Sequence, residues 1–340
     1  MVRGFSRCAA AALLAAVALL APRAFANDKV GIIMSWTAEA EHGGWYQAKA
    51  TGIFEKYGLD VTIRPGGPQL NTAQLLAAGA IDFRVGSNSG NSLNFVKSGV
   101  PAVTVAAMFQ KEPSVLIAHP DVGINSIADM KGVPISVSQQ IVDTWWQFLK
   151  YKFGFTDSQV RPYTFQIAPF LVDKHLVQQG YVTSEPFAIE QEGHFTPKVF
   201  LLADDAGYPS YATTIDTTTA MVEKHPDIVQ RMVDASIEGW YSYMYGDPKP
   251  GNDLIKKDNP DMTDAQIAYS IATMKKYGIV DSGDSLKEGI GIMTDARWKA
   301  FFDTAVAVGQ YPKDMDYKKA YTLRFVGTAH DRELAKHYHP

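Results

Sequence analysis

Cysteine is all but missing from this chain. The 340 residues hold one, Cys8, close to the N-terminus and ahead of any folded pattern. A mature chain without it has no disulfide, no thiolate nucleophile and no thiolate metal site. Positive charge is also scarce: 32 lysines and arginines stand against 36 acids, a formal net charge of −4. With no basic stripe, zinc spacing or stacking motif, there is no general attraction for nucleic acid. Past residue 26 no apolar run approaches the roughly 20 residues that cross a bilayer. Catalytic order is lacking too, because His42, His119, His175, His194 and His225 are scattered and form no Ser-His-Asp or metal-ligand pattern.

What is present begins with a leader. Arg3 and Arg7 form a positive start, Ala9 to Leu20 an apolar run, and Ala24-Phe25-Ala26 an A-x-A cleavage site. Residues 1–26 therefore read as a secretory signal peptide. Its removal takes away Cys8, three arginines and no acid, leaving 314 residues of formal charge −7, enough for two lobes with their own cores. An oxidising compartment outside the cytoplasm suits such a chain.

The stretch from Ile32 to Gly58 organises the rest. An apolar strand (Val30 to Met34) breaks into a polar, aromatic loop and re-forms as a helix (Gly44 to Phe54). In open α/β sheets that loop lies at the carboxyl edge, where ligands bind. It carries Trp36, Glu39, Glu41 and His42, with Trp45 one step into the helix, a set suited to gripping a polar, planar molecule. Strands and helices then alternate: strands at 60–64, 81–85, 103–109, 114–118, 133–137 and 163–167, helices at 71–78, 92–97 and 145–153. A helix over Phe170–Gln179, stopped by Gly180 and followed by a strand at Tyr181–Thr183, parallels the Leu76-Ala77-Ala78-Gly79-Ala80-Ile81 unit, as though one half-site were built twice. A strand at 199–202, an extended run at 212–219 and long helices at 226–245, 264–277 and 295–308 complete the pattern.

Several segments together resemble the periplasmic substrate-binding proteins of ABC importers, in the branch that takes thiamine-pyrimidine precursors, riboflavin, alkanesulfonates, taurine and nitrate. The segments are Trp36 with His42 six residues on, A-x-x-x-G-I-F-E-K-Y-G-L-D-V (Ala48 to Val61), L-A-A-G-A-I-D-F (Leu76 to Phe83), G-V-P-A-V-T-V-A-A (Gly99 to Ala107), I-A-D-M-K-G-V-P-I (Ile127 to Ile135) and G-Y-V-T-S-E-P-F (Gly180 to Phe187). They cover most of residues 30 to 245 and are specific for the family, not for the ligand. The resemblance implies an α/β, type II-like two-lobe fold. Each lobe is a mostly parallel sheet flanked by helices, with two hinge crossings and the ligand in the cleft between lobes. Lobe 1 would be residues 27–115 and 208–340, lobe 2 residues 116–207. It also implies a monomer in the periplasm, an ABC permease as partner, and no catalysis, cofactor or metal.

The residues expected to touch ligand are Trp36, His42, Trp45, Ser87, Asn88, Ser89, Gln139, Asp143, Thr144, Trp145, Glu185, Tyr208 and Tyr211. Trp36, Trp45, Trp145, Tyr208 and Tyr211 offer ring faces. His42 matches the histidine of the pyrimidine-binding members and presents a donor and an acceptor. Glu185 would accept from an amino-pyrimidine edge. Ser87, Asn88 and Ser89 precede a helix N-terminus, with Gln139, Asp143 and Thr144 as their lobe 2 counterpart. The candidate loops hold Glu39, Glu41, Asp143 and Glu185 and no lysine or arginine, which disfavours a sulfonate or nitrate and favours a neutral or amine-bearing ring. The competing class is an enzyme on the same fold, the pyridoxal phosphate-dependent pyrimidine synthases. Their cysteine-rich iron-binding motif has no counterpart in a mature chain without cysteine.

Overall fold

The computed structural model describes residues 26–67, 70–163 and 166–339, with the side chains of Gln139 and Gln140 outside that description. Residues 1–25 of the expected signal peptide, and residues 164–165 of the strand expected at 163–167, fall outside it. Two mixed five-stranded sheets form the frame. The first contains β1 (Asp28–Ile33), β2 (Leu59–Arg64), β3 (Phe83–Asn88), β4 (Ala102–Phe109) and, much later in the chain, β10 (Ala212–Thr218), in the order β2-β1-β3-β10-β4. The second contains β5 (Ser114–Ala118), β6 (Ile135–Val137), β7 (Val160–Pro162), β8 (Val177–Tyr181) and β9 (Lys198–Leu201), in the order β7-β6-β8-β5-β9.

Both sheets follow one rule. Pairs among β1, β2 and β3 are parallel, as are pairs among β6, β7 and β8, whereas β10 and β5 run antiparallel to both their neighbours. β5 and β10 are the first strands made after the chain passes from one sheet to the other. Each enters from the side where the parallel strands end, so it must run against them. Two short segments, residues 110–113 and 202–211, carry these passages. Arg297 grips both: its guanidinium donates to the carbonyls of Gln110, Pro209 and Ser210 and lies 4.0 Å from the centre of the Tyr211 ring. Just beyond the second passage Thr213 takes a left-handed φ of 50°, a costly conformation for a β-branched residue.

β4 is an edge strand, yet every residue in it is buried. C-terminal segments cover it, with Ala107 bridging to Gly291 and Thr104 to Tyr321, which disposes of an otherwise exposed row of backbone donors and acceptors. Helix α1 (Gly43–Ala50) packs across the 226–245 helix, where Val229, Met232, Val233, Ser236, Ile237, Trp240, Tyr243 and Met244 recur at helical spacing on the buried face. Bare backbone permits the close approach. A Cβ on Gly44 would stand 2.3 Å from the Trp240 ring, and one on Gly239 would stand 2.4 Å from the Gly44 carbonyl. Among the described residues no helix is long and apolar enough to cross a membrane.

Gly180 corrects one expectation. The helix that starts after Ile167 ends at Val172, where Asp173 accepts from the His175 N–H at 2.9 Å and turns the chain. Val177 to Tyr181 then forms β8 with Gly180 inside it, so the proposed repeat of the Gly79 helix stop is absent. Gly79 does take a left-handed φ of 68°, but Gly180 is not among the positive-φ glycines.

Candidate functional site

The parallel strands of both sheets end facing one cleft of about 390 Å³. From the first sheet come Ser35, Trp36 and Glu39, in the loop after β1, and Ser87 and Asn88 at the end of β3. From the second come Ser114 on β5, Ser138 and Ile141 after β6, Tyr163, Gln166, Ile167 and Ala168 after β7, and Gln179, Gly180 and Tyr181 on β8. Ser184, Glu185, Ala188 and Glu192 complete the wall from helix α2 (Glu185–Gly193) and the residue before it. Ligands of open α/β sheets sit at such carboxyl edges.

Of the residues expected there, Trp36, Ser87, Asn88 and Glu185 line the cleft. The Asn88 side chain also caps the 89–97 helix, accepting from the Gly90 N–H at 3.0 Å. Others stand behind the wall. His42 is 2 % exposed, with Nε2 3.1 Å from the hydroxyl of Ser35, which does line the cleft. Burial drives its pKa down to about 3, so the imidazole is neutral. Ser89 is buried where the second passage rejoins the first sheet, its hydroxyl accepting from the Tyr211 N–H.

The structure takes the remaining aromatics away from the cleft. Trp45 is fully buried, donating to Ser236 Oγ at 3.0 Å and meeting Trp240 edge to face at 5.6 Å. The glycine-mediated contact of α1 with the 226–245 helix turns this indole inward. Trp145 is buried in the second core. Tyr208 packs against Phe148 and Phe301, and Tyr211 lies under Arg297, its hydroxyl accepting from the Thr294 N–H. Asp143 is exposed and contributes a carbonyl to the Gln310 amide. Thr144 is buried, its hydroxyl 3.3 Å from the Ile141 carbonyl. Neither lines the cleft, and the Gln139 side chain lies outside the described residues.

Glu185 is the most thoroughly placed of the lining carboxylates. One oxygen accepts from the Tyr163 hydroxyl at 2.9 Å and the other from the Tyr181 N–H at 2.8 Å. Gly180 makes room for it: a Cβ there would stand 2.9 Å from both Glu185 Cβ and Oε2. Burial raises its pKa, and the two hydrogen bonds oppose the rise. Glu39 is raised well above the usual carboxylate range, by burial first and then by the charges of Glu41 and Glu185. Glu41, 3 % exposed, is pushed up to about 7 by burial, with Glu185 adding to the rise, and its Oε1 has no hydrogen-bond partner among the described residues. Glu112 lies fully buried below Ser114, whose hydroxyl donates to it at 2.7 Å, and burial raises it to about 7. No lysine, arginine or histidine lines the cleft among the described residues.

A model of the family described as NMT1/THI5 like matches residues 39–250, more than half of the chain. This chain belongs to the NMT1/THI5-like family. Among its relatives is the riboflavin-binding protein RibY of Chloroflexus aurantiacus, 23 % identical over 308 residues, covering 88 % of this chain and 86 % of that one. A putative thiamine biosynthesis protein of Haemophilus influenzae is 23 % identical over 300 residues, 78 % of this chain and 92 % of that one. Among solved structures, the periplasmic aliphatic sulphonate binding protein SsuA of Escherichia coli superposes with a TM-score of 0.65 at 14 % identity, covering 86 % of this chain and 91 % of that one. The desulfurization enzyme DSZB superposes with a TM-score of 0.57 at 12 % identity, over 92 % of this chain and all of that one. The two-sheet frame is thus the periplasmic binding protein fold, which an enzyme also uses.

Among the lining residues that sequence reasoning missed are Ser35, Ser114, Ser138, Tyr163, Gln166, Gln179, Tyr181, Ser184 and Glu192. Gln179 alone had a local signal. In a strand rather than a helix, its side chain projects from one face, and its Oε1 accepts from the Ser138 N–H at 2.6 Å across to the end of β6.

Proposed function

We propose that this protein is the solute-binding component of an ABC importer, working in the periplasm after cleavage of its signal peptide. We propose further that it holds a small planar heteroaromatic ring of the thiamine-pyrimidine type. One observation carries the reading. Trp36 from the first sheet and Glu185 from the second line the same cleft, and no described lining residue is a cation. An indole face suits a flat ring, with stacking worth about 0.5–1.5 kcal/mol beyond area burial. A carboxylate suits an amine edge and repels a sulfonate or nitrate. The cleft of about 390 Å³ lies at the small end of ligand pockets, which run from about 300 to 1,000 Å³. The binding role and the permease partner draw on the family and fold; the ring class draws on the cleft's own residues.

The test is a fluorescence titration of the purified protein. The probes are 4-amino-5-hydroxymethyl-2-methylpyrimidine, its formylamino analogue, riboflavin, taurine and nitrate, at one ionic strength. Saturable quenching or a shift of tryptophan emission by a pyrimidine is the expected result. A response to taurine or nitrate alone would overturn the heteroaromatic reading, and reproducible turnover of any of these compounds would overturn the binding role.

A further inference from the structure

The cleft concentrates acid without providing a counter-charge. Glu39, Glu185 and Glu192 line it and Glu41 lies buried close behind, one of its oxygens lacking a hydrogen-bond partner among the described residues. The other titratable groups facing this cluster are neutral or acidic. Tyr163 donates its hydroxyl to Glu185, and Tyr181 and Tyr243 feel the cluster's charge, which together with burial holds both phenols protonated. His42 is held neutral behind Ser35, and Glu112 lies below Ser114. The charges of Glu41 and Glu185 act on Glu39, and that of Glu185 on buried Glu41, with no cation among the described lining residues to offset them, so Glu39, Glu41 and Glu185 cannot all ionise in the empty protein. The empty cleft therefore stores a proton at neutral pH, on a site shared by Glu39 and Glu41.

We infer that this stored proton is handed to the ligand, so that the cleft takes a weakly basic aromatic nitrogen heterocycle and holds it as a ring cation. The inference rests on the heteroaromatic reading above. The transfer is balanced. A carboxyl O–H breaks, a ring nitrogen forms N–H with its own lone pair, and the complex pairs a protonated ring with a carboxylate at no change in total charge. The indole of Trp36 then meets a cation, a more favourable partner for its face than a neutral ring. Specificity follows: a ring of the same shape without a basic nitrogen leaves the proton on the carboxyl and meets an acid with nothing to accept from it.

The pH dependence has a distinctive form. Where the empty cleft is protonated and the free ring is not, binding exchanges no proton with solvent. Above the pH at which the shared Glu39–Glu41 site gives up its proton, binding must draw one from solvent, and affinity falls about tenfold per pH unit. The experiment measures Kd for 4-amino-5-hydroxymethyl-2-methylpyrimidine between about pH 6 and pH 9, with calorimetry in two buffers of different ionisation enthalpy. The same titration uses a carbocyclic analogue in which both ring nitrogens are replaced by CH. The expected results are proton uptake approaching one per site at the alkaline end, a tenfold-per-unit slope there, and at least hundredfold weaker binding of the analogue. The paired substitution Glu39→Gln with Glu41→Gln should weaken binding at neutral pH and abolish the slope. Tight pyrimidine binding with a flat Kd and no proton uptake up to pH 9 would overturn the proton transfer and leave the binding function standing, as would equal affinity for the analogue. A response to taurine or nitrate alone would overturn both.

Discussion

Gly180→Ala is a perturbation of one carbon atom with a calculable effect. Gly180 lies inside β8, and an added Cβ would meet Glu185 Cβ, Glu185 Oε2 and Ile117 Cδ1, each at 2.9 Å. None of these yields freely. Ile117 is fully buried in the core, and Glu185 opens helix α2 with Pro186 beside it. Overpacking of this kind costs about 1–3 kcal/mol, and at roughly 2–4 °C per kcal/mol for a large domain the Tm should fall by about 2–12 °C. The easiest relief is for the carboxylate to swing away, which breaks its bonds to the Tyr181 N–H and the Tyr163 hydroxyl. Losing the placement of a charge-assisted acceptor is worth about 1–3 kcal/mol, a Kd increase of roughly 5- to 150-fold. Fluorescence titration and thermal unfolding read the two effects separately. In a Glu185→Gln background the added cost to Kd should shrink, because both changes act on one contact. Unchanged Kd in Gly180→Ala, or full additivity with Glu185→Gln, would refute the argument that Gly180 exists to seat this carboxylate.

Trp36→Ala should raise Kd by roughly 30- to 1000-fold while leaving the ligand-free Tm nearly unchanged, since the side chain is only half-buried in the cleft wall. Trp45→Ala should do the reverse, losing about 3–5 kcal/mol of stability from the buried contacts with Trp240 and Ser236 with no change in the Kd of the folded fraction. Asp216→Asn should cost about 3–5 kcal/mol in chemical denaturation, because it removes the charge facing buried Arg84 at 3.0 Å. Glu112 gives a pH-dependent test. Its folded pKa of about 7 exceeds the ordinary carboxylate value of 4.5, so its contribution is complete below about pH 4.5 and lost as pH rises through 7. Glu112→Gln should therefore be more stable than the parent at pH 8, by on the order of 2–4 kcal/mol in chemical denaturation, with the gap closing toward pH 5; a constant gap would disprove it.

Local pattern carried the fold a long way. The bounds expected for Ser114–Ala118, Trp145–Phe153, Pro226–Tyr245 and Asp264–Tyr277 are the bounds observed, because each has an apolar periodicity closed by clear stop signals. At β8 the pattern misled. Val177-Gln178-Gln179 continues a helical-looking run, and the turn that interrupts it is closed at Asp173, whose side chain accepts from the His175 N–H and whose carbonyl accepts from the Leu176 N–H. The site was legible only in part, for a different reason. Trp36 and Glu185 follow strands directly, so their place at a sheet edge is a local fact. Whether Trp45 faces the cleft or the core depends on Gly44 and Gly239, almost two hundred residues apart, letting two helices touch. Ser114, Tyr163 and Tyr181 become neighbours only when β5, β7 and β8 are ordered in the second sheet.

Arg297 has a consequence for how strongly any solute is held. It belongs to the helix Asp295–Ala307 and is absent from the cleft lining, yet it grips the carbonyls of Gln110, Pro209 and Ser210. Rotation of one sheet against the other must bend both passages at that point, so this side chain acts as a spring on the joint. Observed affinity is the intrinsic affinity scaled by the fraction of molecules already in the competent arrangement. A stiffer or looser joint therefore retunes the working concentration range of the protein for every solute alike, while its choice among solutes stays with the cleft. On the proposed solute-binding role, range and selectivity then reside in separate parts of this chain and are free to change independently.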